Sequence, residues 1–211
     1  AYRLVPILTP TQNPYEIGRI DADYAAPLLR DTFRYGNLED PRVYADYFIQ
    51  YNLSASHARD AFARVAKELL RQNRVAEAVE LLDLGLERMP TSHVRFTDTY
   101  PFLEAYYAAS AMGDKEAAAK GDALLREYAQ TLIEYIEHYL RFEGAQGDMV
   151  SGLIDEKLDQ LGDIYYLASY ADRKEVVAEL NDYYRSLGVS EENLIDVGDK
   201  RQQPDSALLP A

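Results

Sequence analysis

The segment from Arg59 to Ser92 constrains the fold more than any other part of the chain, because it predicts two helices with a very short connection. Apolar residues recur at helical spacing on both sides of a polar break at residues 72–74. They are Phe62, Val65, Ala66, Leu69 and Leu70 before the break, and Val75, Ala78, Val79, Leu82 and Leu86 after it. The second helix is predicted to end before Pro90. Two helices joined so closely must run antiparallel, so we expect a helical hairpin.

Small residues occupy the positions of this hairpin where two helix backbones would approach most closely. With Arg59 as the first position of a unit of about 34 residues, Ala66, Ala78 and Gly85 fall at positions 8, 20 and 27. The apolar residues and Pro90 also fall where a tetratricopeptide (TPR) repeat has them. The segment therefore resembles a TPR unit, a resemblance that implies stacked hairpins in a right-handed superhelix.

Two further pairs of helices follow with a weaker pattern. Residues 101–112 predict a first helix, Gly113-Asp114 its turn, and residues 116 to about 142 an overlong second helix that the stretch Gly144 to Gly147 ends. The long helix carries a stripe of Leu125, Tyr128, Leu132, Ile136 and Tyr139. The third pair is marked by Leu158, Leu161, Gly162 and Tyr165, and then by Val176, Val177, Leu180, Tyr183 and Tyr184.

The N-terminal part predicts an arm and two leading helices. Pro6, Pro10 and Pro14 indicate an extended arm to about Gly18. Asp21 or Asp23 is expected to cap a helix with Tyr24, Leu28, Leu29 and Phe33, in which Pro27 is tolerated only in the first turn. Asp40-Pro41 predicts the start of the next helix. Its apolar face would hold Val43, Tyr44, Tyr47, Phe48 and Tyr51.

The predicted fold class is all-α, with TPR-like αα-hairpin repeats in a short right-handed superhelix and an extended N-terminal arm. We expect residues 1–53 to form the arm and the leading helices packed on the repeats. Residues 54–188 would form the repeat domain, and residues 189–211 a polar C-terminal tail.

Composition narrows the classes of function. The formal charge of −14, from 36 acidic and 22 basic residues, disfavours nucleic acid and anionic lipid as partners. The absence of cysteine removes thiolate metal sites, disulfides and cysteine nucleophiles. No window approaches about 18 consecutive apolar residues, so the chain as given is expected to be soluble.

Tyrosine is unusually frequent, with 18 residues against 6 Phe and no Trp. The rings suit a platform for peptides or sugars, or they fill the seams between helices with their hydroxyls at the rim. Glu104 with Tyr106 and Tyr107 is the predicted ligand surface, because a carboxylate and two rings on a first TPR helix could reach the concave face.

Other residues with catalytic or metal-binding character have simpler explanations. Asp21-Ala22-Asp23 has the DxD form of metal-dependent glycosyltransferases, but helix capping explains both carboxylates. Glu134 and His138 share a helical face, and the remaining histidines, His57 and His93, lie on other elements. The acidic row Asp155, Glu156, Asp159 and Asp163 is expected to be a solvated face. We therefore predict no catalytic residue, no cofactor and no metal.

Several stretches together resemble one bacterial family. They are Tyr2-Arg3-Leu4-Val5-Pro6-Ile7, Arg34-Tyr35-Gly36-Asn37, Asp40-Pro41 with Val43-Tyr44, Phe62-Ala63-Arg64-Val65-Ala66, Ala78 to Pro90, and Glu104-Ala105-Tyr106-Tyr107. The chain resembles the C-terminal soluble region of DUF2723 membrane proteins, frequent in Bacteroidota and similar to protein O-mannosyltransferases. The segment Asn52 to Arg59 departs from the more arginine-rich link of that family.

The resemblance implies an extracytoplasmic domain that continues an N-terminal membrane portion and lies on the periplasmic side of the inner membrane. We expect a non-catalytic interaction domain for protein, acceptor peptide or glycan. The alternatives are an accessory part of a glycosyltransferase active site that contributes carboxylates, and a purely structural or dimerisation domain. Asp205-Ser206-Ala207 matches the short acceptor pattern of Bacteroidota O-glycosylation, which makes Ser206 a predicted modification site.

Overall fold

The part of the chain that the computed structural model describes, residues 20–44, 46, 55–93 and 99–188, is all-helical. Its α-helices are α1 (Ala22–Pro27), α2 (Ala55–Arg71), α3 (Val75–Arg88), α4 (Tyr100–Ala111), α5 (Lys115–Tyr139), α6 (Gly144–Tyr170) and α7 (Lys174–Ser186). The all-α prediction is confirmed. The hairpin expected around residues 72–74 is present as α2 and α3, which ends at Arg88 as predicted.

The three hairpins α2–α3, α4–α5 and α6–α7 reverse through the same turn. Its central residues, Asn73, Gly113 and Asp172, have left-handed φ angles of 60°, 105° and 54°. In each turn the next amide donates to the carbonyl oxygen five residues earlier. These bonds are Arg74 N to Leu69 O at 2.9 Å, Asp114 N to Ala109 O at 3.1 Å and Arg173 N to Ala168 O at 2.8 Å. A bond of this type satisfies a carbonyl at the helix end and directs the chain back.

The hairpins repeat in geometry but not in length. The left-handed turn residues lie 40 and 59 positions apart, because α5 has 25 residues and α6 has 27 whereas α4 has 12. The predicted break after the long helix is present, but it lies a few residues before the stretch Gly144 to Gly147. The chain reverses at residues 140–143, and α6 already begins at Gly144, whose positive φ of 57° suits a glycine at that sharp start.

Gly85 lies where α3 comes closest to its neighbours. A Cβ atom there would stand 3.0 Å from ring atoms of both Phe62 and Phe102, which are fully buried on α2 and α4. Helix α4 packs against both α2 and α3, so this contact joins the first hairpin to the second. The small residue expected at this position is thus required by packing.

The core continues through the later hairpins. Helix α5 packs on α4, α6 on α5 and α7 on α6. The predicted stripe of α5 is confirmed, with its first four residues buried and Tyr139 half-buried. In the last hairpin Leu161, Val176, Leu180 and Tyr184 are buried, whereas Leu158, Tyr165 and Tyr183 pack at the edge.

The first helix is shorter and more irregular than expected. Asp21 caps α1 by accepting a hydrogen bond from the backbone amide of Tyr24 at 3.1 Å. Pro27 lies at the end of α1 and not in its first turn, which corrects the prediction, and the chain continues as a π-helical turn, Leu28–Thr32. Proline lacks an amide hydrogen and crowds the preceding carbonyl, which favours such widening. Tyr24 and Phe33 are exposed.

No helix begins at Asp40-Pro41, contrary to prediction. Residues 36–42 form turns, and the Asp40 carboxylate accepts hydrogen bonds from the backbone amide and the guanidinium of Arg42. An aspartate that binds the amide two residues on stabilises a turn instead of a helix. Tyr44 is 85% exposed, so it lies on no apolar helix face.

Several predictions fall on parts of the chain outside the described residues. They are the N-terminal arm to Gly18, the segment with Tyr47, Phe48 and Tyr51, the side chain of His57, the polar tail 189–211, and Ser206.

The packing at Gly85 predicts opposite effects for two glycine-to-alanine substitutions. Gly85→Ala should lower the free energy of unfolding by about 1 kcal/mol, because the new methyl group strains two buried rings by more than the helix propensity of alanine gains. Gly152 lies in α6, and a Cβ atom there would meet no neighbouring atom within 4 Å, so Gly152→Ala should raise stability by about 0.5–1 kcal/mol. Urea denaturation of both variants measures the signs, and two changes of the same sign would contradict the packing explanation.

Candidate functional site

Two tyrosine–carboxylate networks join α4 to its neighbours. Tyr106 is 1% exposed, and its hydroxyl donates to Asp83 Oδ1 on α3 at 2.8 Å. The other oxygen of Asp83 accepts from Lys120 Nζ on α5 at 2.6 Å. One carboxylate thus connects three helices from two hairpins.

The second network joins the second hairpin to the third. Tyr107 is 3% exposed and donates to Asp122 Oδ1 on α5 at 3.1 Å. Asp122 also accepts from Arg173 Nε at 2.8 Å, in the turn before α7, and the Arg173 guanidinium lies 6.0 Å from the centre of the Tyr107 ring. A Cβ at Gly121 would stand 2.9 Å from that ring, so the ring packs directly on the α5 backbone.

These environments hold both phenols in their neutral form. Burial raises the pKa of Tyr106 and Tyr107 well above the usual value, and the neighbouring charges of Asp83 and Asp122 raise it further. The expectation that the two rings reach a concave surface is wrong for this structure. They fill the seams between helices, which was the alternative explanation for the tyrosine-rich composition.

Glu104, the third residue of the predicted ligand surface, is ion-paired. Its Oε2 atom lies 2.5 Å from Lys67 Nζ on α2, and the two side chains are only 13% and 16% exposed. The pair bridges the first helices of two consecutive hairpins.

A group that the sequence reasoning missed lies beside this ion pair. Tyr100 is half-buried one helical turn before Glu104. Burial raises its pKa, and so do the nearby charges of Glu104 and of Asp163 on α6, with Tyr166 of α6 contributing as well. The spacing of four between Tyr100 and Glu104 was the available signal.

The first helices of the three hairpins thus contribute half-buried polar residues to one cluster around Tyr100, which we call the first-helix face. It consists of Lys67, Tyr100, Glu104, Asp163 and Tyr166. Tyr166 is half-buried, and its ring lies 6.4 Å from that of Tyr170, which is 41% exposed. The face combines carboxylates with tyrosine rings at its rim, a combination that can accept hydrogen bonds and cover apolar groups.

The opposite side of the hairpins has two shallow grooves. One, of 360 Å³, lies between α3 and α5, and the other, of 500 Å³, lies between α5 and α7. Asp83 is paired with Lys120 at 2.6 Å and Arg126 with Glu179 at 2.9 Å. Glu127, which lines both grooves, accepts a hydrogen bond from the Thr91 hydroxyl at 2.5 Å.

The residues considered for metal binding serve structural roles. Asp21 caps α1, and Asp23 accepts from Arg74 at 2.5 Å. Glu134 accepts from Gln130, whereas the ring of His138 packs edge-on against Phe142. His93 is buried with Nε2 2.8 Å from the Val43 carbonyl oxygen.

Within the described residues, no three histidine or carboxylate side chains are grouped so that they could hold a metal ion. In the acidic row of α6, Asp155, Glu156 and Asp159 are exposed and Asp163 is half-buried.

Across the part of the chain that the structure covers, no helix has both the length and the apolar character to cross a bilayer. The chain matches no protein-family model, no curated protein and no solved structure.

The buried phenols predict a loss of stability at alkaline pH. Below about pH 10 the folded and unfolded chains both keep Tyr106 and Tyr107 protonated. Above it the unfolded chain releases these protons and the folded chain retains them, so stability falls as the pH rises towards the higher folded pKa values. Each group contributes a slope of about 1.4 kcal/mol per pH unit.

The double variant Tyr106→Phe with Tyr107→Phe should therefore lose stability less steeply between about pH 10 and 12, as measured by urea denaturation at each pH. Tyr24→Phe removes one hydroxyl from a ring that is 47% exposed and serves as the control substitution. Equal slopes in the double variant and the wild type would show that these two groups ionise alike in both states.

Two of the ion pairs between hairpins, Lys67–Glu104 and Arg126–Glu179, predict unequal coupling. A double-mutant cycle of Lys67→Ala and Glu104→Ala should give about 1–3 kcal/mol, because both side chains are largely shielded from water. The same cycle for Arg126 and Glu179, which are 40% and 55% exposed, should give less than about 1 kcal/mol. Thermal denaturation of the wild type and of the variants in both cycles measures the two coupling energies. A larger coupling energy for the exposed pair would contradict the burial argument.

Proposed function

We propose that this chain is a non-catalytic, TPR-like interaction domain that binds a polypeptide segment, with glycan as the second ligand class. The observation that supports this most is the stacking of three hairpins that share one type of turn, with polar residues of their first helices grouped around Tyr100. Stacked hairpins extend a surface over several repeats, and such surfaces suit extended ligands.

The chemistry of the first-helix face fits a polypeptide with free donors. Asp163 places a half-buried carboxylate at this face, a group that accepts hydrogen bonds from backbone amides or cationic side chains, whereas the carboxylate of Glu104 is occupied by Lys67. Tyr166 and Tyr170 add ring surface at the edge of the same face. The net charge of −14 favours ligands that are neutral or cationic.

The resemblance to the DUF2723 proteins extends the proposal to a cellular location and to a neighbouring domain. The domain would lie on the periplasmic side of the inner membrane, attached to a glycosyltransferase-like membrane portion, and present acceptor polypeptide to it. Asp21, Asp23 and Glu104, the carboxylates considered for an accessory catalytic role, are occupied by a cap and by ion pairs. These contacts favour the interaction role over the catalytic one.

The decisive experiment is a binding screen with the chain of 211 residues. Biotinylated protein is applied to an array of short unstructured peptides and to an array of bacterial glycans. The double variant Asp163→Asn with Tyr166→Ala should weaken the binding of retained ligands by about tenfold, since it removes one negative charge and one ring from the face. Arg126→Ala with Glu179→Ala changes two residues on the opposite side and should bind as the wild type does.

Failure to retain any peptide or glycan would refute the proposal. The proposal would also be refuted if the Arg126–Glu179 double variant weakened ligand binding and the Asp163–Tyr166 double variant did not. Circular dichroism of both variants checks that they retain the helical fold, so that weaker binding does not result from unfolding.

A further inference from the structure

Helices α5 and α6 form a hairpin that extends well beyond the helices packed on it. Helix α4 has 12 residues and α7 has 13, whereas α5 has 25 and α6 has 27. Each long helix is therefore about 20 Å longer than the short helix of its own hairpin. Between Gly144 and Leu158 no residue of α6 is buried. We call residues 134–160 the hairpin tip.

One seam of α5 continues from the covered part of the helix into the hairpin tip. It consists of residues seven positions apart, Gly121, Tyr128, Tyr135 and Phe142. This spacing is typical of the contact line between two packed helices. The Tyr107 ring of α4 packs on Gly121, and Tyr128 is 3% exposed beside the start of α4. Beyond α4, Tyr135 and Phe142 are 48% and 37% exposed, so the described helices leave this part of the seam uncovered.

An aliphatic row of α6 lies on the same face of the hairpin tip. Met149, Leu153 and Lys157 are spaced by four and so share one side of the helix. Lys157 Nζ lies 5.9 Å from the centre of the Tyr135 ring, which places this row beside the seam of α5. Met149 is 83% and Leu153 is 40% exposed. Lys157 is paired with Glu156 at 2.9 Å, so the row adds no net charge to the face.

Most acidic residues of the hairpin tip lie away from this apolar face. Helical spacing places four of them on the opposite side of the α5–α6 pair, and all four are exposed. They are Glu137, Asp148, Asp155 and Asp159. The diameter of a helix, about 10 Å, separates their charges from anything packed on the apolar face, and the screening length at physiological salt is about 8 Å. A second copy can therefore approach this face although each copy has a net charge of −14.

We propose that the hairpin tip is a self-association surface, on which two copies of the chain pack antiparallel through their apolar faces. Helix α4 runs antiparallel to α5, and the α5 helix of the second copy takes the same direction along the uncovered part of the seam. The four helices of the two tips then enclose one apolar core. This surface goes beyond the proposed function, because the copies associate whether or not the first-helix face binds a ligand.

The seam of α5 is complementary to itself in this arrangement. An antiparallel pair of α5 helices centred near His138 places Tyr135 of each copy opposite Phe142 of the other. The same register places Glu134 opposite Arg141, so that an exposed anion meets an exposed cation at both ends of the contact. Because each tip projects past its own α4, the remaining helices of the two copies lie at opposite ends. A different protein would need both the ring spacing and the charge order that a second copy has by symmetry.

The exposed apolar area fits a weak dimer. Four side chains of the face are 37–83% exposed, namely Tyr135, Phe142, Met149 and Leu153. A large side chain has about 200 Å² of accessible surface, so together they offer about 400 Å² in each copy. With the polar groups at the edge, the contact approaches about 1,000–1,200 Å² in total, the lower range of specific interfaces. We therefore expect a dissociation constant in the micromolar range.

Cysteine cross-linking tests the register, because the chain has no cysteine of its own. His138→Cys places one thiol of each copy near the two-fold axis, within reach of the other. Mild oxidation should form a disulfide-linked dimer at least about tenfold faster than in Met112→Cys, whose position is 37% exposed outside the hairpin tip. Equal rates in the two variants would indicate random collision and overturn the proposal.

Charge reversal tests the same register without a covalent bond. Arg141→Glu should weaken dimerisation by about tenfold, because each dimer would then contain two pairs of like charges. Adding Glu134→Arg reverses the partner charge and should restore the wild-type dissociation constant, as measured by sedimentation velocity. Lys174→Glu is the control, since it changes the net charge equally at a side chain that is 84% exposed on α7. A double variant no stronger than Arg141→Glu, or equal weakening by the control, would overturn the proposal.

The contribution of the apolar row is tested by Met149→Ser with Leu153→Ser. This variant keeps the net charge and should weaken dimerisation by at least about tenfold, whereas Met112→Ser should not. All three side chains are exposed, so the variants should fold, and circular dichroism verifies this.

Unchanged dimerisation of the serine double variant would contradict the proposal, and so would a wild type that stays monomeric up to about 100 μM. Flotation with phosphatidylglycerol vesicles covers the remaining occupant. A vesicle-bound wild type, released by the serine double variant and not cross-linked through His138→Cys, would assign the surface to a membrane instead.

Discussion

The approach of α3 to α2 and α4 at Gly85 is the contact on which the stacking of the hairpins depends. Two phenylalanine rings from different hairpins meet over a backbone without a side chain, and this places α4 in contact with both helices of the first hairpin. The position of α4 then determines where Tyr106 and Tyr107 can reach carboxylates of α3 and α5. Apolar packing sets the distance between hairpins, and the tyrosine hydroxyls fix their orientation because hydrogen bonds are directional.

Tyrosine has a different role here from the one its abundance suggests. A phenol offers a large apolar body for a helix seam and a donor that reaches the edge of the seam. Phe could fill the same space, but Asp83 and Asp122 would then lose a hydrogen-bond donor at a partly buried position. The carboxylates also bind Lys120 and Arg173, so each network ties the seam to charged residues of the next helix. An acidic chain can in this way use carboxylates inside its structure as well as on its surface.

The sequence predicted the parts of the fold that local physics controls. Gly85 and the polar break before Val75 were identified because close packing and helix reversal each restrict the residue type. The helix predicted from Asp40-Pro41 is absent because the same dipeptide can begin a helix or a turn, and the hydrogen bond between Asp40 and the Arg42 amide selects the turn. Tyr106 and Tyr107 were placed on a surface because helical periodicity gives the direction of a side chain and not the identity of the neighbouring helix. Tyr100 gained its carboxylate neighbour Asp163 only through the tertiary arrangement of α4 and α6, which no spacing in the sequence encodes.

The unequal lengths of α6 and α7 give one continuous helix two different local stabilities. The C-terminal half of α6 holds buried Leu161, Ile164 and Leu167, whereas its N-terminal half holds no buried side chain. Amide hydrogens in the two halves are consequently protected by different opening reactions, one that needs the core to separate and one that only unravels the projecting end. A ligand bound to the projecting end would make the two halves of α6 unfold together. Its binding would then be detected as slower hydrogen exchange in the N-terminal half of α6, without a change in the shape of the helix.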